Sequence, residues 1–218
     1  MKLKLTSILL LIFGFILSST IASAQSVFPN DVILQPYYGA PNMKKWMYDT
    51  DLDQYNSSKG FGHVGLSGEF VISSRFGFGF DAIYSPFERT ETTSYIEYDG
   101  NTNTTINKVD ELVFSENKLR IIAKAYIHFN VANPLWDLYI SGGIGPNIIF
   151  KKAYFNDEKV NYDAYHSNSE NIMTLNPHFP FSGRICFGAR YFFSNHFGAS
   201  FETGFGGPPF SFGLNARF

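Results

Sequence analysis

The sequence is poor in cysteine and has no excess of positive charge. Its 218 residues include one cysteine, Cys186, and 17 Lys and Arg against 19 Asp and Glu, which gives a formal net charge of −2. A single thiol cannot form an internal disulfide, so a disulfide scaffold is excluded. We predict that Cys186 is a small inward-facing side chain of a strand. Nucleic acid is not an expected partner, because binding it requires a basic patch.

Long apolar runs are missing except near the N-terminus. Two lysines precede an apolar stretch at residues 8–17, and residues 22–24 read Ala-Ser-Ala. A basic start, an apolar stretch of about ten residues and a small-residue site describe a cleaved secretory signal peptide. The stretch is too short for a transmembrane helix, which needs about 20 residues. We therefore predict a signal peptide at 1–24 and one domain at 25–218, whose net charge is −4.

Aromatic residues are abundant instead, with 24 Phe and 13 Tyr. They take part in strict alternation, which is clearest in the last nine residues. Apolar and small or polar residues alternate there as Phe210, Ser211, Phe212, Gly213, Leu214, Asn215, Ala216, Arg217 and Phe218. Such alternation places all the apolar side chains on one face of a strand. In a soluble sheet that face packs on a second layer, whereas in a membrane barrel it contacts lipid.

Eight segments share this alternation, and each is about as long as a tilted membrane-spanning strand. They are residues 32–40, 62–72, 76–85, 118–129, 138–150, 181–193, 197–206 and 210–218. Their polar face is rich in glycine, which suits the narrow lumen of an eight-stranded barrel better than a solvated surface. The alternative is a soluble β-sandwich or lipocalin-like barrel, in which the apolar face would point inward.

Short and long connections alternate between these segments. The short ones include 73–75 and 194–196, and the long ones are polar and lie at 41–61, 86–117 and 151–180. Outer-membrane barrels have this arrangement, with short periplasmic turns and long external loops. The long connections mix Tyr with Asn and Ser, a composition that suits recognition. We predict that they bind an extracellular ligand; loops that are simply rich in Tyr are the alternative.

The chain resembles the small OmpA-like outer-membrane β-barrels of Gram-negative bacteria. The likeness rests on the terminal Phe218, on Gly-Leu-Ser-Gly-Glu-Phe at 65–70, on Phe-Gly-Phe-Gly-Phe-Asp at 76–81 and on the repeated pairing of glycine with aromatics. It implies a location in the outer membrane, contact with outer-membrane lipid and recognition of the last strand by the barrel-assembly machinery. The residues it marks as that assembly signal are Phe210, Phe212, Leu214 and Phe218.

The inward face is predicted to carry nine ionisable residues. They are Glu69, Asp81, Arg120, Lys124, His128, Arg184, Arg190, Glu202 and Arg217. Isolated charges in a narrow lumen are costly, so we predict a structural network of ion pairs. A three-residue turn at 194–196 places Glu202 opposite Gly188, with Arg190 diagonal to it. A tight turn at 206–209 would also place Glu202 opposite Gly213 on the other side.

Two arrangements could support catalysis. Glu69 falls opposite Gly79 with Asp81 diagonal to it, and two close carboxylates could act as acid and base in glycoside hydrolysis. Neutralisation by Lys124 or His128 is the structural alternative, and a filled eight-stranded lumen has no room for a sugar.

The second arrangement is His196, Ser200 and Glu202, which are the residue types of an acyl-transfer triad. His196 lies in a predicted periplasmic turn, however, whereas the other two face the lumen. This separation disfavours a lipid-modifying enzyme.

Asp49, Asp51 and Asp53 resemble the start of a calcium loop, but Gln54 and Gly60 stand where its glycine and final acid are expected. Whether this segment binds calcium stays open, and we predict no metal site and no cofactor. The sequence as a whole predicts an all-β, eight-stranded antiparallel up-and-down transmembrane barrel. Its predicted role is structural or interactive and is exerted through the external loops. A small-solute pore and a lipid A-modifying enzyme are the alternatives.

Overall fold

The computed structural model describes residues 26–50, 56–99, 104–161 and 180–218. The predicted signal peptide, Asp51, Asp53 and most of the segment after residue 161 in the third long connection lie outside the described residues. The elements are β1 Val32–Ala40, α1 Met43–Thr50, β2 Asn56–Lys59, β3 His63–Ser73, β4 Phe76–Ser85, β5 Glu88–Asp99, β6 Thr104–Phe129, β7 Trp136–Phe155, β8 Glu158–Val160, β9 Phe181–Phe192, β10 Phe197–Phe205 and β11 Phe210–Arg217. Within these ranges no helix has the length and apolar content needed to cross a bilayer.

Eight of these strands close into a barrel. Around the ring the order is β1, β3, β4, β6, β7, β9, β10 and β11, and every pair is antiparallel. The pairing of β11 with β1 closes the ring, so that no edge strand remains around the barrel wall. The prediction of an all-β, eight-stranded antiparallel up-and-down barrel is confirmed.

The apolar side of each barrel strand points outward. In β11, Phe212 and Leu214 are 62% and 65% exposed, whereas Ser211 and Asn215 between them are each 1% exposed. Phe210 and Phe218 also face outward. A soluble lipocalin-like barrel has the reverse arrangement, with apolar side chains inside. The structure therefore has the orientation that membrane barrels need.

The end of the barrel that carries the short turns is closed by an apolar cluster. Val27, from the segment that precedes β1, packs there with Ile33, Val71 and Phe192, and each is at most 2% exposed. The segment is held by backbone hydrogen bonds, including that from the Asn30 amide to the Val71 carbonyl at 2.8 Å. The N-terminal part of the described chain thus plugs this end of the lumen.

Two of the three long connections predicted as loops, 41–61 and 86–117, contain regular secondary structure in their described residues, and the described start of the third contains β8. The connection 86–117 is not a loop: β5 and the first half of β6 form a long hairpin there. The fourth strand therefore begins at Thr104 instead of residue 118, and the fifth extends to Phe155 instead of residue 150. The connection 41–61 contains α1 and β2. These strands lack the apolar alternation of the barrel wall because they extend beyond it.

We call this projecting part the platform. It consists of α1, β2, β5, β8, residues 104–117 of β6 and residues 150–155 of β7. Among the described residues, 92–99 of β5 and 104–111 of β6 have no strand partner other than each other, and we call this two-stranded part the arm. Eight residues of strand are about 25 Å long, so the arm reaches well beyond the rest of the platform.

Candidate functional site

The lumen contains two rings of alternating charge, and the first lies toward the short turns. His128 contacts Glu69 through Nε2 at 2.6 Å and Asp137 through Nδ1 at 2.8 Å. Arg190 Nη1 contacts the same two carboxylates at 2.7 and 3.0 Å. Both ring nitrogens of His128 face carboxylate oxygens, an arrangement that fits an imidazolium, since only that form donates from both. We call these four residues the lower ring.

The second set, the upper ring, has the same pattern nearer the platform. Lys124 Nζ lies 3.6 Å from Asp81 and 3.4 Å from Glu202. Arg184 forms an ion pair with Asp81 and lies 3.0 Å from Glu202. All four side chains are at most 1% exposed. Each ring therefore neutralises two buried carboxylates with two cations, as buried charges require.

Tyrosines complete the hydrogen bonding of the upper ring and explain the glycines of the inward face. Tyr139 donates to Glu202 at 2.8 Å and Tyr37 donates to Asp81 at 2.7 Å. The aromatic side chain of each tyrosine lies over the glycine that is its cross-strand partner, Gly188 for Tyr139 and Gly65 for Tyr37. A Cβ on either glycine would lie about 2 Å from the tyrosine ring, where Cβ atoms are not tolerated.

Seven of the nine predicted lumen residues meet in these two rings, and two do not. Arg217 lies at the end with the short turns, where it donates to the carbonyl groups of Asn195, at 2.9 Å, and Ser26. Arg120 lies at the opposite mouth and contacts no ring residue.

One ring member, Asp137, was not predicted. It belongs to the lower ring, but the fifth predicted segment begins only at residue 138, whereas β7 begins at Trp136. The spacing of two residues between Asp137 and Tyr139 was the available signal, because alternate residues of a strand share a face.

The predicted register is right on one side of Glu202 and wrong on the other. Glu202 pairs with Gly188, but across the next turn it pairs with Ser211 and not with Gly213. The last ladder pair is Thr203 with Phe210, so the connection is two residues longer than the tight turn that we expected. Pro208 and Pro209 lie in this connection, and because proline lacks an amide hydrogen neither can donate to the ladder, although the Pro209 carbonyl accepts from the Gly204 amide at 3.1 Å.

The catalytic arrangements do not form within the described residues. Glu69 and Asp81 belong to different rings, and each is paired with two cations. His196 is exposed in its turn, where its Nδ1 lies 3.1 Å from the Arg217 carbonyl, while Glu202 is buried in the upper ring. Among the described residues no cluster of three or more His, Cys, Asp or Glu could hold a metal ion.

Asp49, the one acid of the candidate calcium loop in the described part, bonds Lys45 at 2.5 Å and also bonds Ser58. Calcium binding by this segment stays an untested hypothesis.

The rings fill the cross-section of the lumen. The lower ring is backed by the apolar plug, and above the upper ring Tyr37, Ile83 and Ile122 form a second buried apolar cluster. Cys186 also faces inward and is 2% exposed. All eight ring residues are at most 4% exposed, so at both levels the lumen is occupied by buried side chains.

Helix α1 is fixed to the inner face of the platform. Asn42 caps it, since the Asn42 carbonyl accepts from the Trp46 amide at 2.9 Å. Lys44 forms an ion pair with Glu116, and its ammonium lies 4.7 Å from the centre of the Phe87 ring. Burial raises the pKa of Glu116, but the ammonium groups of Lys44 and Lys118 outweigh burial and hold this pKa below its usual value.

The arm exposes apolar side chains on the face that continues the lipid-facing side of β6. Ile96 is 70% exposed and Val109 is 61% exposed. They are diagonal neighbours, because Ile96 pairs with Asn107 and Val109 pairs with Ser94. Exposed apolar side chains grouped in this way mark interaction surfaces.

Comparisons with known proteins find similarity to solved structures of outer-membrane proteins. No family model and no curated protein matches it. Among solved structures it is similar to the N-terminal beta-barrel domain of Pseudomonas aeruginosa OprF, with 12% identity, a TM-score of 0.38, and coverage of 87% of this chain and 98% of that one. It is also similar to the outer membrane protein OprG from Pseudomonas aeruginosa, with 10% identity, a TM-score of 0.37, and coverage of 89% and 98%. Because both TM-scores are low, the fold assignment here rests on the strand pairing of this chain itself.

Proposed function

We propose that this protein is an outer-membrane barrel that acts as an anchor and presents the platform to a partner outside the cell. The observation that carries the proposal is the unbroken run of β6 and β7 from the barrel into the platform. A rigid connection of this kind holds a binding surface at a fixed height and orientation. Loosely attached loops would have to lose conformational entropy on binding, which lowers affinity.

The membrane location is supported by the outward apolar side of the barrel and by the predicted signal peptide. Barrel strands of about ten residues match the thickness of a bilayer when tilted. The outward side chains of β11 agree with the predicted role of the last strand in delivery to the barrel-assembly machinery.

An anchor is favoured over a small-solute pore because the lumen is filled by the two charge rings. Single-channel recording of the refolded mature protein in planar bilayers tests this point. We expect no conductance steps above those of the lipid alone. Stable, repeated openings of the wild-type protein would favour the pore instead. Mass spectrometry of lipid A from cells with and without the protein tests the enzymatic alternative, and we expect identical spectra.

The role of the arm is tested by adhesion of cells that display the protein. We expect the double variant Ile96→Thr, Val109→Thr to lower the retention of cells on polystyrene, an apolar surface, because it removes the exposed apolar pair. Ile106→Thr is the matched control, since it makes the same chemical change on the other face of the arm. All variants should keep the heat-modifiable gel mobility of a folded barrel. Equal retention of the wild-type and double-variant cells would contradict the proposal.

A further inference from the structure

Arg120 differs from the other lumen cations at the platform end. Lys124, His128, Arg184 and Arg190 each contact two carboxylates. Arg120 has no carboxylate within 4.0 Å in the described part of the chain. The upper ring beneath it is already balanced, with two anions and two cations. Among the described residues, the charge of Arg120 is therefore not paired with an anion at this mouth of the barrel.

The neighbours of Arg120 accept its hydrogen bonds but carry no negative charge. Arg120 Nη1 donates to the Gly206 carbonyl at 2.6 Å and Nη2 donates to the Ser85 hydroxyl at 3.3 Å, while Nε has no partner among the described residues. The Ser85 hydroxyl lies 2.5 Å from His63 Nδ1. Since Ser85 accepts from Arg120, it can donate to Nδ1, and the imidazole proton then lies on Nε2. The His63 side chain is only 5% exposed, and its ring also forms a hydrogen bond with the Pro41 backbone.

A second arginine adds another unused donor. Arg184, which is 2% exposed, uses its terminal nitrogens in the upper ring, but its Nε has no partner. The turn that bonds Arg120 through Gly206 also approaches Arg184, because a Cβ on Gly207 would lie 2.9 Å from Arg184 Nε. Among the described residues, Arg120 Nε and Arg184 Nε are thus unused donors at this mouth, and Asn147 Oδ1, on the cross-strand partner of Arg120, is an unused acceptor.

We propose that this mouth of the barrel binds a phosphate group, with the Arg120 guanidinium as its main ligand. A guanidinium that is half-buried without an anion is costly, and an oxyanion compensates it. Arginine matches phosphate in geometry and charge. Phosphate has several acceptor oxygens in a tetrahedral arrangement, so it can use donors that come from different strands. Arg120 is itself half-exposed, which gives the ligand access.

The test is a titration of the refolded mature protein in a maltoside detergent, which contains no phosphate, with inorganic phosphate as the probe. Isothermal calorimetry should show saturable binding by the wild type. Arg120→Met should weaken it by about ten- to a hundred-fold, the usual effect of losing a charged hydrogen-bond partner. Lys118→Met is the control, because it removes the same charge from the same strand but Lys118 is paired with Glu116 at 3.2 Å. Ser85→Ala gives a second, milder variant in case Arg120→Met does not refold.

A parallel titration with micelles that contain phosphatidate identifies the source of the phosphate group. Binding of inorganic phosphate that is lost in Arg120→Met supports the site and indicates a soluble ligand. Binding of phosphatidate alone, with the same loss, supports the site and indicates a lipid headgroup. Absence of binding to both probes, or equal weakening by Lys118→Met, overturns the proposal. None of these outcomes depends on the arm, so this test is independent of the adhesion assay.

Discussion

Removal of the Glu202 carboxylate should destabilise the barrel strongly. Glu202 is 1% exposed and contacts Arg184 at 3.0 Å, Lys124 at 3.4 Å and the Tyr139 hydroxyl at 2.8 Å. Glu202→Ala leaves Asp81 alone to neutralise two buried cations. Removal of one partner of a buried pair typically costs about 3–5 kcal/mol, because the remaining charge stays desolvated. We expect the free energy of unfolding to fall by that amount.

The assay is urea unfolding of the refolded protein in detergent micelles, followed by tryptophan fluorescence and by heat-modifiable gel mobility. Glu97→Ala is the control, because Glu97 is paired with Lys108 where both side chains are about half exposed, and such pairs contribute about 0–1 kcal/mol. Glu202→Gln keeps the volume and an acceptor for Tyr139, so its cost should be intermediate. Adding Lys124→Met to Glu202→Ala should recover part of the loss, because the charges then balance again. A cost for Glu202→Ala no larger than that for Glu97→Ala would refute the argument from buried charge.

Three further predictions concern packing, pH and reactivity. Gly188→Ala should lower the free energy of unfolding by about 1–3 kcal/mol, because the added Cβ displaces Tyr139. Gly142→Ala is the control: its Cβ would meet nothing closer than 3.9 Å, so the urea midpoint should stay unchanged. The pKa of Glu116 lies below its usual value, so the attachment of α1 should be intact above the usual glutamate pKa of about 4.3. It should weaken as the pH falls through the lowered pKa; Trp46 fluorescence should report that change, and Glu116→Gln should show it at neutral pH. Cys186 should resist maleimide until urea unfolds the barrel, and labelling at the same rate in the folded protein would contradict its buried position.

The barrel could be predicted from the sequence because lipid imposes a strict pattern on it. Each of its strands needs an apolar residue at every second position, and the three-residue turn at 194–196 fixes the pairing of Glu202 with Gly188. The strand register predicted across the turn before β11 was wrong. The connection there contains two adjacent prolines, and alternation does not encode its length.

The platform could not be predicted because its strands follow no such pattern. Residues 88–99 read Glu-Arg-Thr-Glu-Thr-Thr-Ser-Tyr-Ile-Glu-Tyr-Asp, a composition that equally describes a loop. Beyond the membrane both faces of a strand tolerate polar side chains, so pairing with a neighbour is the only requirement. The unpaired state of Arg120 could not be predicted for a different reason. The sequence predicts that this arginine lies on the inward face, but only the structure shows that no carboxylate of the described residues lies close to it.

The pairing of β1 with β11 determines when the barrel can close. Val32 and Phe218 exchange backbone hydrogen bonds of 2.9 and 3.0 Å there. The first barrel strand in the sequence, β1, is therefore paired with the last, β11. The lower ring draws its four members from β3, β6, β7 and β9, so its charges balance only once all four strands are in place. Closure of the barrel waits for β11, and without that strand β1 has a partner on one side only.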